Sequence, residues 1–159
     1  MRSETRSWSA LAGFLVCALA AGGLGAIATA RSVDTWYRQI DRPAWTPPDS
    51  WFGPVWTTLY VLMAGAAWLV WRRRDEQSTT RALALWWAQL VVNASWSWVF
   101  FGAHALGASV VVIAALWLLI VATIGAFFAV RPLAAALLAP YLAWVTFAGA
   151  LNVAIWRLN

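Results

Sequence analysis

Fourteen of the 159 residues are tryptophan, and several fall on helical stripes suited to binding. Gln89, Asn93, Trp96 and Phe100 recur at i, i+4, i+7 and i+11, so they share one face of a helix. Trp56, Tyr60, Met63 and Ala67 form a second such face, and Trp144, Ala148, Leu151 and Ile155 a third. Aromatic stripes usually mark packing core. What favours a pocket is that Gln89 and Asn93 are neutral amides within otherwise apolar runs, where a polar group must bond to a neighbouring helix or to a ligand. Aromatic walls with amide handles suit a flat, apolar molecule with a few acceptors, since ring contacts add about 0.5–1.5 kcal/mol beyond burial. A tetrapyrrole or a polycyclic drug fits that description. A tetrapyrrole's propionates would also need a cationic rim, which Arg31, Arg38 or Arg42 could supply.

Reactive constellations are absent from the pattern. No helix pairs two carboxylates, no His/Cys/Asp cluster has metal-ligand spacing, and no Gly-rich loop follows a strand. No cofactor and no metal site is expected. The lone His104 reads as a solvated turn residue and the lone Cys17 as a small buried hydrophobe, which leaves no internal disulfide. Without charges inside the apolar runs, an ion-coupled pump is also disfavoured.

The elements that must carry these side chains follow from composition. Hydrophobic residues make up 63% and charged residues 11%, with a mean hydropathy of +0.69, far from a water-soluble globule. The net charge of +5 comes from scattered arginines, which argues against nucleic acid and for charge flanking a membrane. Five charge-free runs, residues 8–30, 51–71, 83–103, 105–130 and 133–156, are each long enough to span about 30 Å of hydrocarbon as a helix. They lack the alternation of barrel strands. The expected fold is therefore all-α, a five-transmembrane-helix bundle forming one integral membrane domain over residues 1–159. Arg2, Arg6 and the run Ala28-Thr29-Ala30 imitate a secretory signal, but the apolar stretch exceeds the roughly 7–15 residues of a signal core.

Seven arginines (Arg2, Arg6, Arg72, Arg73, Arg74, Arg81, Arg131) lie on the amino-terminal side of the spans and four on the other, which places the N-terminus in the cytoplasm. Ala18, Gly22 and Ala26, with Ala21 and Gly25, form small-residue rows for close helix packing, within one chain or across a dimer. Trp8, Trp51, Trp68, Trp71, Trp86 and Trp156 sit near helix ends, where an indole prefers the headgroup level. Trp56, Trp96, Trp98, Trp117 and Trp144 lie deeper and are the candidate ligand contacts. The long connection 31–50, rich in tryptophan and proline, reads as a lid. Within it, residues 34–40 are expected to make a helical turn or two with Asp34 as cap.

Trp45-Thr46-Pro47-Pro48, Phe52-Gly53-Pro54-Val55-Trp56-Thr57 with Leu59-Tyr60, Gln89-Leu90…Asn93…Trp96…Phe100-Phe101-Gly102, Pro140-Tyr141-Leu142-Ala143-Trp144 and Leu151-Asn152 together resemble the TspO/MBR family. These are the tryptophan-rich sensory proteins of bacteria and the mitochondrial translocator protein, once called the peripheral benzodiazepine receptor. The resemblance implies a bacterial, multi-pass membrane protein, often a homodimer, with a pocket beneath the loop joining the first two helices. It implies porphyrin binding, with protoporphyrin IX and haem as ligands, in a receptor with a part in sensing or transport. Its pocket positions carry over to Trp45, Trp56, Asn93, Trp144, Ala148 and Leu151, to which the stripes add Tyr60, Gln89 and Trp96. An alternative implied by some bacterial members is light- and oxygen-dependent porphyrin degradation at Trp56 and Trp144. Two departures stand out. Ser50 followed by Trp51 displaces the family's loop tryptophan, and Val153-Ala154-Ile155 replaces the tyrosine of the vertebrate cholesterol stretch. The loose match at Val33…Tyr37…Arg42 lies in the loop, so cholesterol is weakly supported as a partner.

Overall fold

Backbone groups in hydrocarbon must be satisfied within their own segment, and the long apolar runs comply by coiling. The computed structural model describes the backbone from Arg2 to Asn159 and the side chains from Ser7 onward. Its regular elements are helices: α1 (Arg2–Ser32), α2 (Trp36–Gln39), α3 (Phe52–Trp71), α4 (Thr80–Ser97), α5 (Leu106–Val130), α6 (Pro132–Leu137) and α7 (Ala139–Leu158). A 3-10 turn, Asp49–Trp51, leads into α3, and a π turn, Trp98–Gly102, closes α4. The fifth expected span is divided at Leu138. Pro132 opens α6, where its missing N–H costs nothing, and Pro140 has no N–H for the carbonyl four residues back, so the helix restarts as α7.

Four segments are long and apolar enough to cross a membrane: Ser7–Ser32, Asp49–Trp71, Leu106–Val130 and Pro132–Leu158. The chain is an integral membrane protein. The third expected span, carried by α4, falls short of that standard because Arg81, Gln89, Asn93, Ser95 and Ser97 lower its hydropathy. It nevertheless packs along α5 and α1 inside the bundle.

The small-residue rows serve packing within the chain. Of their members, Ala18 is fully buried and Ala21 nearly so, whereas Ala26 is exposed. A Cβ on Gly22 would overlap the Tyr60 ring of α3, and one on Gly25 would come within 2.9 Å of Ser97 Oγ on α4. Side-chain-free positions thus let α1 approach two helices at once. The belt reading is corrected at Trp86. It is fully buried, donates to the Met63 carbonyl at 3.1 Å and meets Phe14 edge-on, so the α3–α4 interface supplies its indole with an acceptor. Trp8, stacked on Trp68, remains largely exposed, as do Trp51 and Trp156.

In the lid, the helical turn forms over Trp36–Gln39, but Asp34 does not cap it. The N-cap is Thr35 without a side-chain bond, and Asp34 pairs with Arg38 one turn on, at 2.6 Å. His104 does occupy an exposed turn, in a left-handed conformation with φ of 55°. Its ring stacks on Trp36 at 4.1 Å and reaches Ser32 Oγ at 3.2 Å, so it fastens the lid's first turn to the α4–α5 corner. Cys17 is half-buried against the core.

Gly22→Ala is expected to lower stability by about 1–3 kcal/mol through overpacking against Tyr60. Gly23→Ala, whose new methyl meets nothing within 4 Å, should gain a little helix propensity. Thermal unfolding in detergent compares the two, and an equal midpoint for both would refute the tight α1–α3 contact.

Candidate ligand pocket

Two buried polar clusters fix how α3, α4, α5 and α7 meet. In the first, Tyr60 donates its hydroxyl to Asn93 Oδ1 at 2.6 Å, and Asn93 Nδ2 donates to the Tyr141 hydroxyl at 2.9 Å. Tyr141 in turn donates to Gln89 Oε1 at 2.9 Å, and Gln89 Nε2 lies 3.7 Å from the Met63 sulfur. In the second, Trp96 donates to Asn152 Oδ1 at 3.0 Å, and Asn152 Nδ2 donates to Ser109 Oγ at 2.9 Å. Gln89, Asn93, Tyr141, Ser109 and Asn152 are all buried. Unpaired, each such group would cost about 1–3 kcal/mol. The two amides that the stripes single out have therefore found neighbouring helices, and their hydrogen-bonding atoms are occupied.

Above these clusters lies a cavity of about 130 Å³. Much of it is narrow seams between rings, so a large guest requires those rings to move. Its wall is built by Thr29 and Val33 of α1, Tyr37 of α2, Phe52 and Trp56 of α3, Asn93 and Trp96 of α4, Phe100 and Phe101 of the π turn, Ile113 and Leu116 of α5, and Trp144, Val145, Ala148, Leu151, Asn152 and Ile155 of α7, with Asp49 before α3. The π turn matters here, because its extra residue widens the helix where Phe100 meets Trp36 and Trp96, and Phe101 meets Tyr37.

Six of the nine expected ligand contacts line this cavity: Trp56, Asn93, Trp96, Trp144, Ala148 and Leu151. Tyr60 lies behind Trp56, stacked on it at 5.7 Å, and borders a separate cleft. Gln89 sits beneath, in the hydrogen-bond chain. Trp45 is half exposed and rests edge-on against Phe147, off the cavity wall. Of the deep tryptophans, Trp98 is capped by Arg31 at 5.9 Å, and Trp117 bonds to Thr146 at 2.9 Å on an exposed face of α5 and α7; neither reaches the cavity. Phe52, Tyr141 and Asn152 stand in the family motifs but are not among the expected ligand contacts. Asn152 carries the same signal as Asn93, an amide inside an apolar run, whereas Phe52 carries none beyond its place before Trp56.

One donor on this wall is different. Trp144 Nε1 is buried and has no hydrogen-bond partner among the described residues, although Phe52 and Phe147 pack around its ring. At the mouth, the three arginines expected to form a rim divide. Arg38 is paired with Asp34 and Arg31 lies over Trp98. Arg42 sits closest to the opening, 3.6 Å from Asp49 and 4.7 Å over the Tyr37 ring. Burial pushes the Tyr37 phenol above its ordinary value while Arg42 pulls it back, so Tyr37 stays neutral at physiological pH. The lid is further tied down where Asp41 N–H donates to Asn159 Oδ1 and Asn159 Nδ2 donates to the Asp41 carbonyl, each at 3.0 Å.

Comparison with known proteins bears on this arrangement. The sequence model of the TspO/MBR family matches residues 14–157. Protein CrtK of Rhodobacter capsulatus is 40% identical over 147 residues, 92% of this chain and 89% of its own. The Tryptophan-rich sensory protein of Cereibacter sphaeroides is 37% identical over 152 residues, covering 96% and 92%. The human Translocator protein is 40% identical over 126 residues, covering 78% and 75%.

Asn93→Leu removes the centre of the first polar cluster and leaves the Tyr60 and Tyr141 hydroxyls without a shared partner. Tyr141 keeps its bond to Gln89 while the Tyr60 hydroxyl is orphaned, so a loss of about 1–3 kcal/mol is expected, read as a fall in thermal midpoint without any ligand present. An unchanged midpoint would mean that the cluster does not hold the helices.

Proposed function

The chain belongs to the TspO/MBR family, and from that premise we propose a membrane receptor, a transporter-like sensor, that binds tetrapyrroles between its helices. Protoporphyrin IX and haem are the ligands in view. In this reading all five long helices cross the bilayer, α4 included, with the N-terminus in the cytoplasm by the arginine asymmetry.

The single observation that carries the reading is the unpaired Trp144 indole N–H on a wall that is otherwise aromatic and aliphatic. Burying a donor without an acceptor is costly, and the other polar side chains deep in this region are engaged with one another. A flat ring system carrying an acceptor relieves that cost while its faces cover Trp56, Trp96 and Phe100. Neither histidine, cysteine nor methionine is among the described wall residues, and in this reading recognition rests on the macrocycle. Arg42, already at the mouth, is the cation placed to meet a carboxylate if it exchanges Asp49 for it.

Quenching of tryptophan fluorescence by protoporphyrin IX, titrated in the dark in detergent, tests the reading. Saturable, stoichiometric quenching is expected. Trp144→Phe should weaken binding by about 2–10-fold, the worth of one hydrogen bond at about 0.5–1.5 kcal/mol, while leaving thermal stability unchanged, since the indole N–H has no partner to lose. Ala148→Leu should also weaken binding, because the added volume enters the cavity wall. Linear, non-saturating quenching, or wild-type affinity in both variants, would overturn the assignment.

A further inference from the structure

A second cleft opens between α1, α3 and α4, and it has Thr29, Phe52, Trp56, Asn93 and Trp96 in common with the wall of the cavity. Its outer edges are nearly bare of side chains: Gly23 and Ala26 on α1 face Gly53 and Thr57 on α3, and all four are exposed. Both helices belong to segments apolar and long enough to cross a membrane, so what is exposed here faces lipid. The cleft lies toward the end of α1 and the start of α3, the same end as the lid, which puts it in the leaflet beneath the headgroups on that side.

The two rings that separate cleft from cavity are held very differently. Trp96 is anchored by its bond to Asn152. Trp56 has ring contacts only, stacked on Tyr60 at 5.7 Å and edge-on to Tyr141 at 6.2 Å, with no hydrogen bond among the described residues. Over the top of the cavity, by contrast, the lid is fastened by the Asp41–Asn159 pair, the Arg42–Asp49 contact and the Trp36–His104 stack. Moving one weakly held indole disturbs less than releasing three tethers.

Resting on the tetrapyrrole-pocket reading, we propose that this cleft is a lateral portal. A flat amphiphile dissolved in the leaflet passes edge-first between α1 and α3 and displaces the Trp56 ring as its gate. It enters the cavity with the lid in place. A macrocycle whose carboxylates stay at headgroup level can make this passage without taking its charges through hydrocarbon, which would be expensive.

The test uses the full chain reconstituted in phosphatidylcholine vesicles. Protoporphyrin IX is delivered from donor vesicles, and its association rate is followed by stopped-flow tryptophan quenching. Gly23→Leu and Gly53→Leu narrow the cleft at positions where an added Cβ meets nothing within 4 Å, and thermal midpoints confirm their folding. Asn159→Ala loosens the lid. The portal predicts association slowed about tenfold in one or both glycine variants, the rate effect of an overpacked passage, with equilibrium affinity near wild type and no change in rate for Asn159→Ala. Wild-type rates in both glycine variants, or faster association in Asn159→Ala, would overturn the portal while leaving the pocket intact. Absence of saturable quenching in the wild type would overturn both.

Discussion

The structure depends on a line of hydrogen bonds that never leaves the bundle interior. Tyr60, Asn93, Tyr141 and Gln89 join α3, α4 and α7 end to end. In lipid, apolar side chains gain little by choosing one another over acyl chains, so helix association falls to close packing and to polar groups that must be paired. Close packing is served by Gly22 and Gly25, which bring α1 onto Tyr60 and Ser97. Pairing is served by this line and by the Trp96–Asn152–Ser109 cluster beside it. The contacts are linked. The Tyr60 ring that fills the space over Gly22 also begins the line, and its other face supports Trp56.

That arrangement decides what the cavity can recognise. Because the amides and phenols satisfy one another, the wall presents ring faces and aliphatic carbon. The indole N–H of Trp144 is left over. Trp96, one wall away, shows the contrast: the same side chain with its donor bonded becomes a fixed strut. Under the proposed reading, shape and the Trp144 donor govern selection inside, while charge is confined to the cluster where Arg42, Asp49 and Tyr37 meet.

Much of this was legible before any coordinates. Runs free of charge announced the long helices, and the amides inside one of them announced a buried polar contact. Periodicity sets Trp56, Trp96 and Trp144 on the stripes of three different helices, and the structure brings all three to one cavity. What stayed hidden depended on which helix stands next to which. Periodicity shows that Asn93 needs a partner; only the crossing of α3 and α7 shows that two tyrosine hydroxyls supply it. Trp86 reads as an interfacial residue because it stands near a helix start, yet its indole finds the Met63 carbonyl as an acceptor inside the bundle. Trp45 belongs to the loop motif but turns toward Phe147, a choice no local pattern encodes. The break at Leu138 follows from Pro140, which an apolarity criterion passes over. Asp34 illustrates competition between roles: a good capping residue is taken instead by Arg38, one helical turn away.

In the proposed pocket the buried Trp144 indole donor, which has no partner among the described residues, is the ligand's polar contact. Indole ¹⁵N–¹H correlation spectra of the reconstituted protein, with the Trp144 peak assigned by its loss in Trp144→Phe, test this directly when protoporphyrin IX is added in the dark. The account predicts a downfield proton shift of the Trp144 indole as it gains an acceptor, with the Trp86 indole, bonded to Met63 away from the cavity, holding its position. A Trp144 resonance that stays in place at saturating porphyrin would contradict it.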